Sequence, residues 1–67
     1  MEDFIVRMER ERDELSERIE KLEKGLVKFG LSNPKRATLM ESQLKAMKDY
    51  LFYLEERLSY ELSSPID

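Results

Sequence analysis

A chain of 67 residues with no cysteine and no histidine makes one small domain at most. Below ~70–80 residues a lone core rarely supplies more than ~3–5 kcal/mol without a staple or a partner chain, and here disulfides, thiolate metal sites and imidazole ligands are all excluded. The balance of 12 basic to 15 acidic residues, net −3, lacks the basic footprint of a duplex DNA binder, yet a few converging Arg and Lys can still hold a small anion. With two Gly, two Pro and 40% charged residues, the composition points to long helices or a coiled coil, and the missing staples point to an oligomer.

From Asp3 to Phe29, the residues Phe4, Met8, Leu15, Ile19, Leu22, Leu26 and Phe29 recur at spacings of 3, 4 or 7. That is the seam of an amphipathic helix facing a partner helix. The seam has a polar break at Glu11 or Arg12, and Glu11 reads as an inter-helix partner for a basic residue. Glu14–Arg18, Glu17–Lys21 and Glu20–Lys24 are acid-first i,i+4 pairs on the outer face, each worth roughly 0.2–0.5 kcal/mol. Gly25 weakens the helix by about 1 kcal/mol relative to Ala, so it marks close packing or early fraying.

The helix breaks at Gly30-Leu31-Ser32-Asn33-Pro34. Gly30 suits the left-handed position after a helix. Asn33 or Ser32 can cap the next helix, and Pro34 then takes its first position. So short a turn makes the helices antiparallel. The second helix carries the stronger seam: Ala37, Met40, Leu44, Met47, Leu51, Leu54, Leu58 and Leu62. Ser63 to Asp67 form a tail. The expected fold is therefore all-α: an antiparallel two-helix hairpin assembling into a homo-oligomeric helical bundle. It is one domain, with helices at about 3–29 and 34–62 and a turn at 30–33.

Beside its main seam the second helix has another row. Gln43, Ala46, Tyr50, Tyr53, Arg57 and Tyr60 keep the 3-4 rhythm, shifted by one position, with Leu39 and Phe52 nearby. A lone hairpin would expose this surface, and contiguous exposed aromatic patches mark interfaces or binding sites. Two readings stay open: an interface between protomers, or Tyr and Arg lining a pocket between them.

Catalysis has little to stand on. There is no His or Cys, no Gly-rich phosphate loop and no carboxylate pair held in a water-excluding cleft. No cofactor is implied. The groups able to bind an anion are Arg7, Arg18, Lys21, Lys24 and Arg57, with Phe4, Tyr50, Tyr53 and Tyr60 close by. Arg grips phosphate in a fork, and Tyr stacks on bases. No apolar run approaches the ~20 residues of a membrane span. The acidic start, Met1-Glu2-Asp3, is unlike the basic end of a signal peptide, so the reading is a soluble, intracellular chain.

The stretch Phe4-Ile5-Val6-Arg7-Met8, Glu11, Glu14-Leu15, Arg18-Ile19-Glu20-Lys21-Leu22 resembles a helix that reads F-x-x-R-V-x-x-E-x-x-E-L-x-x-K-I-x-K-L. Likewise, Gln43-Leu44-Lys45-Ala46-Met47-Lys48-Asp49-Tyr50, Leu54 and Arg57-Leu58 resemble Q-L-x-A-M-x-x-Y-x-x-I-L-x-x-R-I. Both patterns belong to the small phage anti-CBASS and anti-Thoeris helical-hairpin sponges, which also occur as small proteins of crAss-like phages. The resemblance covers about residues 4–58. Arg18 stands where the family usually has Lys, and Gly25 where it often has Phe. The turn, with Pro34, is shorter than in many relatives.

The resemblance implies a phage-encoded protein of the host cytoplasm that is not an enzyme. It would bind cyclic oligonucleotides or cyclic ADP-ribose isomers made by bacterial immune systems and hold them uncleaved. It also implies a homo-oligomer, dimer or hexamer, with ligand pockets between protomers. Phe4 and Tyr50 would stack on or wall off bases, while Arg7, Arg18, Lys21 and Arg57 would contact phosphates and base edges. Gln43, Met47, Tyr53 and Tyr60 would form the oligomer interface. The competing reading is a coiled-coil structural or regulatory module that binds another protein and takes no nucleotide.

Overall fold

The computed structural model describes residues 3–63. They form α1 (Phe4–Phe29), a 3-10 turn (Gly30–Ser32) and α2 (Pro34–Ser63). Met8 packs with Leu54 and Leu58 toward one end, and Gly25 faces Met40 toward the other, so the helices run antiparallel. The all-α hairpin called for by the two seams is what the chain builds. The expected tail lies, beyond Ser63, outside the described residues.

The ends of the helices are set by short polar side chains. Asp3 has extended backbone, and its carboxylate accepts from the Ile5 N–H at 3.2 Å, satisfying one of the orphan donors of a helix start. At the turn the Ser32 hydroxyl donates to the Phe29 carbonyl at 2.9 Å. Asn33 is again extended, and its side-chain oxygen accepts from the Arg36 N–H at 3.1 Å. Asn33 is thus the cap of α2. Pro34 occupies the first helical position, where a missing N–H is no loss.

Gly30 corrects the sequence reading. Its backbone is right-handed, with φ −63° and ψ −34°, not left-handed. A side chain would be crowded there: an added Cβ would lie 3.1 Å from Leu26 Cδ1, which would have to shift by a few tenths of an ångström, and 3.5 Å from the Ala37 Cβ. Gly25 does not fray the helix, which continues to Phe29. There an added Cβ would meet only the Met40 methyl, at 3.4 Å.

The hairpin is one helix layer thick. Its extents are 54 × 20 × 13 Å and its radius of gyration is 15.6 Å, against about 11 Å for a compact domain of this length. Among the described residues Met8, Ile19, Leu44, Leu54 and Leu58 are buried, and none has a fully enclosed side chain. Leu15, Leu22, Leu26, Met40, Met47 and Leu51 are half-buried along the seam. Phe4, Phe29 and Leu62, at the ends, are exposed.

Between the helices, Lys48 reaches Glu23 at 2.7 Å. Of the three expected i,i+4 pairs, Glu20–Lys24 closes at 3.4 Å. Among the described residues neither Glu14–Arg18 nor Glu17–Lys21 forms an ion pair. Lys45–Asp49 closes at 3.1 Å on α2. Exposed pairs of this kind contribute roughly 0–1 kcal/mol, so apolar contact along the seam dominates. No described helix is long and apolar enough to cross a membrane.

Candidate functional site

Two rows define one face of the hairpin. On α1, Phe4, Arg7, Glu11, Glu14, Arg18 and Lys21 follow one another at 3-4 spacing, which keeps them on one side of a helix. On α2 the matching row is Gln43, Ala46, Tyr50, Tyr53, Arg57 and Tyr60. The rows meet where the Tyr50 hydroxyl donates to the Glu11 carboxylate across the helices. The sequence reading gave Glu11 a basic partner; its partner is a phenol.

Around that contact lies a groove of about 400 Å³, walled by Glu11, Glu14, Leu15 and Arg18 from α1 and by Gln43, Ala46, Met47 and Tyr50 from α2. It continues in both directions. Toward the turn, Arg18, Gln43 and Met47 are shared with a hollow of about 380 Å³ that adds Lys21 and Leu22. Toward the free ends, Tyr50 is shared with a hollow of about 250 Å³ that adds Tyr53, Leu54 and Arg57. The three adjoining hollows together form a trough with cations toward both ends and, at its centre, two carboxylates and the Tyr50–Glu11 contact. From Gln43 to Arg57 it spans 14 residues of helix, about 21 Å at ~1.5 Å per residue.

Arg18, Lys21 and Arg57 form no ion pair among the described residues. Tyr50 is held between opposing influences. Its hydrogen bond to Glu11 raises its pKa above the ordinary phenol value, with the Glu11 charge and partial desolvation acting the same way and Arg57 opposing them. Arg57 is therefore close enough to act on Tyr50 through its charge.

The sequence-derived candidates divide as follows. Arg18, Lys21, Tyr50 and Arg57 line the trough. Phe4 and Arg7 share its α1 row and are exposed, yet they line none of its three parts. Gln43, Met47 and Tyr53, read as oligomer contacts, wall the trough beside the basic residues. Tyr60 is two-thirds exposed and lies outside the trough. Glu14 was missed as a site residue. Its place between Glu11 and Arg18 on the same 3-4 row was the available signal. The described residues contain no cluster of acidic side chains that could hold a metal ion.

The trough thus brings basic, acidic and aromatic side chains together on one face of the hairpin. No curated protein and no solved structure matches the chain. A family model does, one described as Sequestin, over residues 2–60, which takes in both motif-bearing helices and bears out the resemblance they carry. The chain belongs to the Sequestin family.

Proposed function

We propose that this protein is a phage anti-defence sponge: it captures a cyclic nucleotide immune signal, a cyclic oligonucleotide or a cyclic ADP-ribose isomer, and holds it without hydrolysis. The observation that carries this reading is the placement of Arg18, Lys21 and Arg57, which form no ion pair among the described residues, along the trough with Tyr50 and Tyr53. Arg and Lys supply charge-assisted hydrogen bonds to phosphate, and tyrosine rings supply stacking platforms for bases. The family name, which denotes sequestration, supports a binding role over a catalytic one.

The trough is shallow and runs about 21 Å along α2 from Gln43 to Arg57. One hairpin leaves a bound ring open to water on its outer side. A second protomer laid over the trough would close it and cover the exposed Tyr53, Tyr60 and Leu39, which keep the 3-4 rhythm of its α2 row. The functional unit is thus a homo-oligomer, dimer or hexamer, in which each hairpin supplies part of a pocket. Protection by such a protein is stoichiometric, so it requires affinity at or below the working signal concentration.

Calorimetry of the purified protein against cyclic di- and trinucleotides and cyclic ADP-ribose isomers tests the reading. Saturable binding of at least one is expected. A folded protein that binds none refutes it. A coiled-coil module that binds another protein is favoured by one observation: Leu39, Phe52 and Val27 are exposed yet lie outside the trough. An empty ligand panel, together with a stoichiometric protein partner recovered from infected cells, would establish that alternative.

A further inference from the structure

The centre of the trough is the wrong charge for phosphate. Glu11 and Glu14 line it with Arg18, so its three ionised groups sum to −1. A carboxylate facing a bound anion costs affinity unless the ligand brings hydrogen-bond donors to it. Glu11 is already engaged by the Tyr50 hydroxyl. Glu14 is exposed, lines the same groove, and forms no ion pair or hydrogen bond among the described residues. It does not pair with Arg18, although it stands one helical turn away at the favoured i,i+4 spacing.

A ligand that satisfies both groups carries a phosphate at one end and N–H donors at the other. Nucleobases differ in what they offer a carboxylate. Guanine presents a ring N–H and an exocyclic amine side by side, matching the two acceptor oxygens of an ionised Glu. Adenine presents a single amine beside an acceptor nitrogen, which faces the second carboxylate oxygen without a proton between them. Gln43, across the groove, is an amide and does not alter the charge.

We infer that Glu14 is the specificity-determining residue of the trough: it reads the donor edge of a guanine base while Arg18 holds a phosphate of the same ligand. This rests on the cyclic nucleotide reading above and names the base within it.

Cyclic di-GMP and cyclic di-AMP share one phosphate–sugar ring and differ only in the base, so calorimetry with both probes isolates the effect. The wild-type protein is expected to favour the guanine ring by roughly 5- to 150-fold, the worth of one good bidentate pair. Glu14→Ala should bring the two affinities together with helicity unchanged. Glu14→Gln should shift preference toward adenine, whose amine and neighbouring ring nitrogen an amide can pair with. Equal wild-type affinities, or a guanine preference that survives Glu14→Ala, overturn the role of Glu14 and leave the sponge reading standing. A folded wild-type protein that binds neither ring, nor any other cyclic nucleotide, overturns both.

Discussion

Leu54 is 3% exposed and sits with Met8 and Leu58 in the small cluster that joins the two helices, with Ile5 against it. Replacing it with Ala removes apolar contact from the best-packed point of the hairpin. Core Leu→Ala changes cost ~2–5 kcal/mol, depending on how far the site collapses. A single-layer hairpin with no fully enclosed side chain among the described residues relaxes easily, which places the cost near the lower end, at about 2–3 kcal/mol. A chain this size holds only about 3–10 kcal/mol in total, so roughly a fifth or more of its stability is at stake. At about 4–8 °C per kcal/mol for a small domain, the melting midpoint should fall by roughly 10–20 °C. Thermal melts followed by far-ultraviolet circular dichroism measure this. Leu39→Ala is the paired control. Leu39 is 59% exposed in the single hairpin, so its loss there should be within ~0.5 kcal/mol. In an oligomer that covers Leu39 the cost rises, and the midpoint becomes dependent on protein concentration. A Leu54→Ala midpoint within a degree or two of wild type would refute the placement of the core.

Other outcomes follow from the same geometry. Arg18→Ala should weaken ligand binding tenfold or more, since a charge-assisted hydrogen bond is worth about 1.5–3 kcal/mol; unchanged affinity measured by calorimetry would remove Arg18 from the site. The raised pKa of Tyr50 means its bond to Glu11 stabilises the fold fully below the ordinary phenol pKa of ~10 and loses that effect as pH climbs through the raised folded value. In an alkaline absorbance titration, Glu11→Gln should therefore move part of the tyrosinate rise to lower pH, and an unaltered curve contradicts the contact. Gly25→Ala should raise stability by about 0.5–1 kcal/mol, because the added methyl meets only the flexible end of Met40. Gly30→Ala, crowded at 3.1 Å by Leu26, should gain less or lose; equal gains at both glycines in denaturant titrations would contradict the packing at the turn.

The fold was legible because helical periodicity reports faces directly. Seven-residue repetition of Met, Leu and Ile gave both seams, and Asn33-Pro34 gave the start of α2 from capping chemistry alone. The trough was half legible. The rhythm of Gln43, Tyr50, Tyr53 and Arg57 announced an extra exposed row, but periodicity within one helix carries no information about what stands opposite on the other. Thus the Glu11–Tyr50 and Glu23–Lys48 contacts, which depend on the inter-helix register, could not be read beforehand. Gly30 misled for a different reason. Glycine serves both left-handed turns and close approaches, and only the packing of Leu26 and Ala37 separates the two. Phe4 and Arg7 show the converse limit: they share the row of Arg18 and Lys21, yet a row continues past the end of the trough it lines.

Sequestration without cleavage is tested most directly by titrating cyclic nucleotides and cyclic ADP-ribose isomers into the folded protein in a calorimeter. A saturating isotherm for at least one ligand is expected, with a fixed ratio of ligand to protomer and no continuing heat once the sites are full. Heats of dilution alone across the panel would contradict the binding of a cyclic nucleotide, and a steady heat after saturation would show turnover instead of capture.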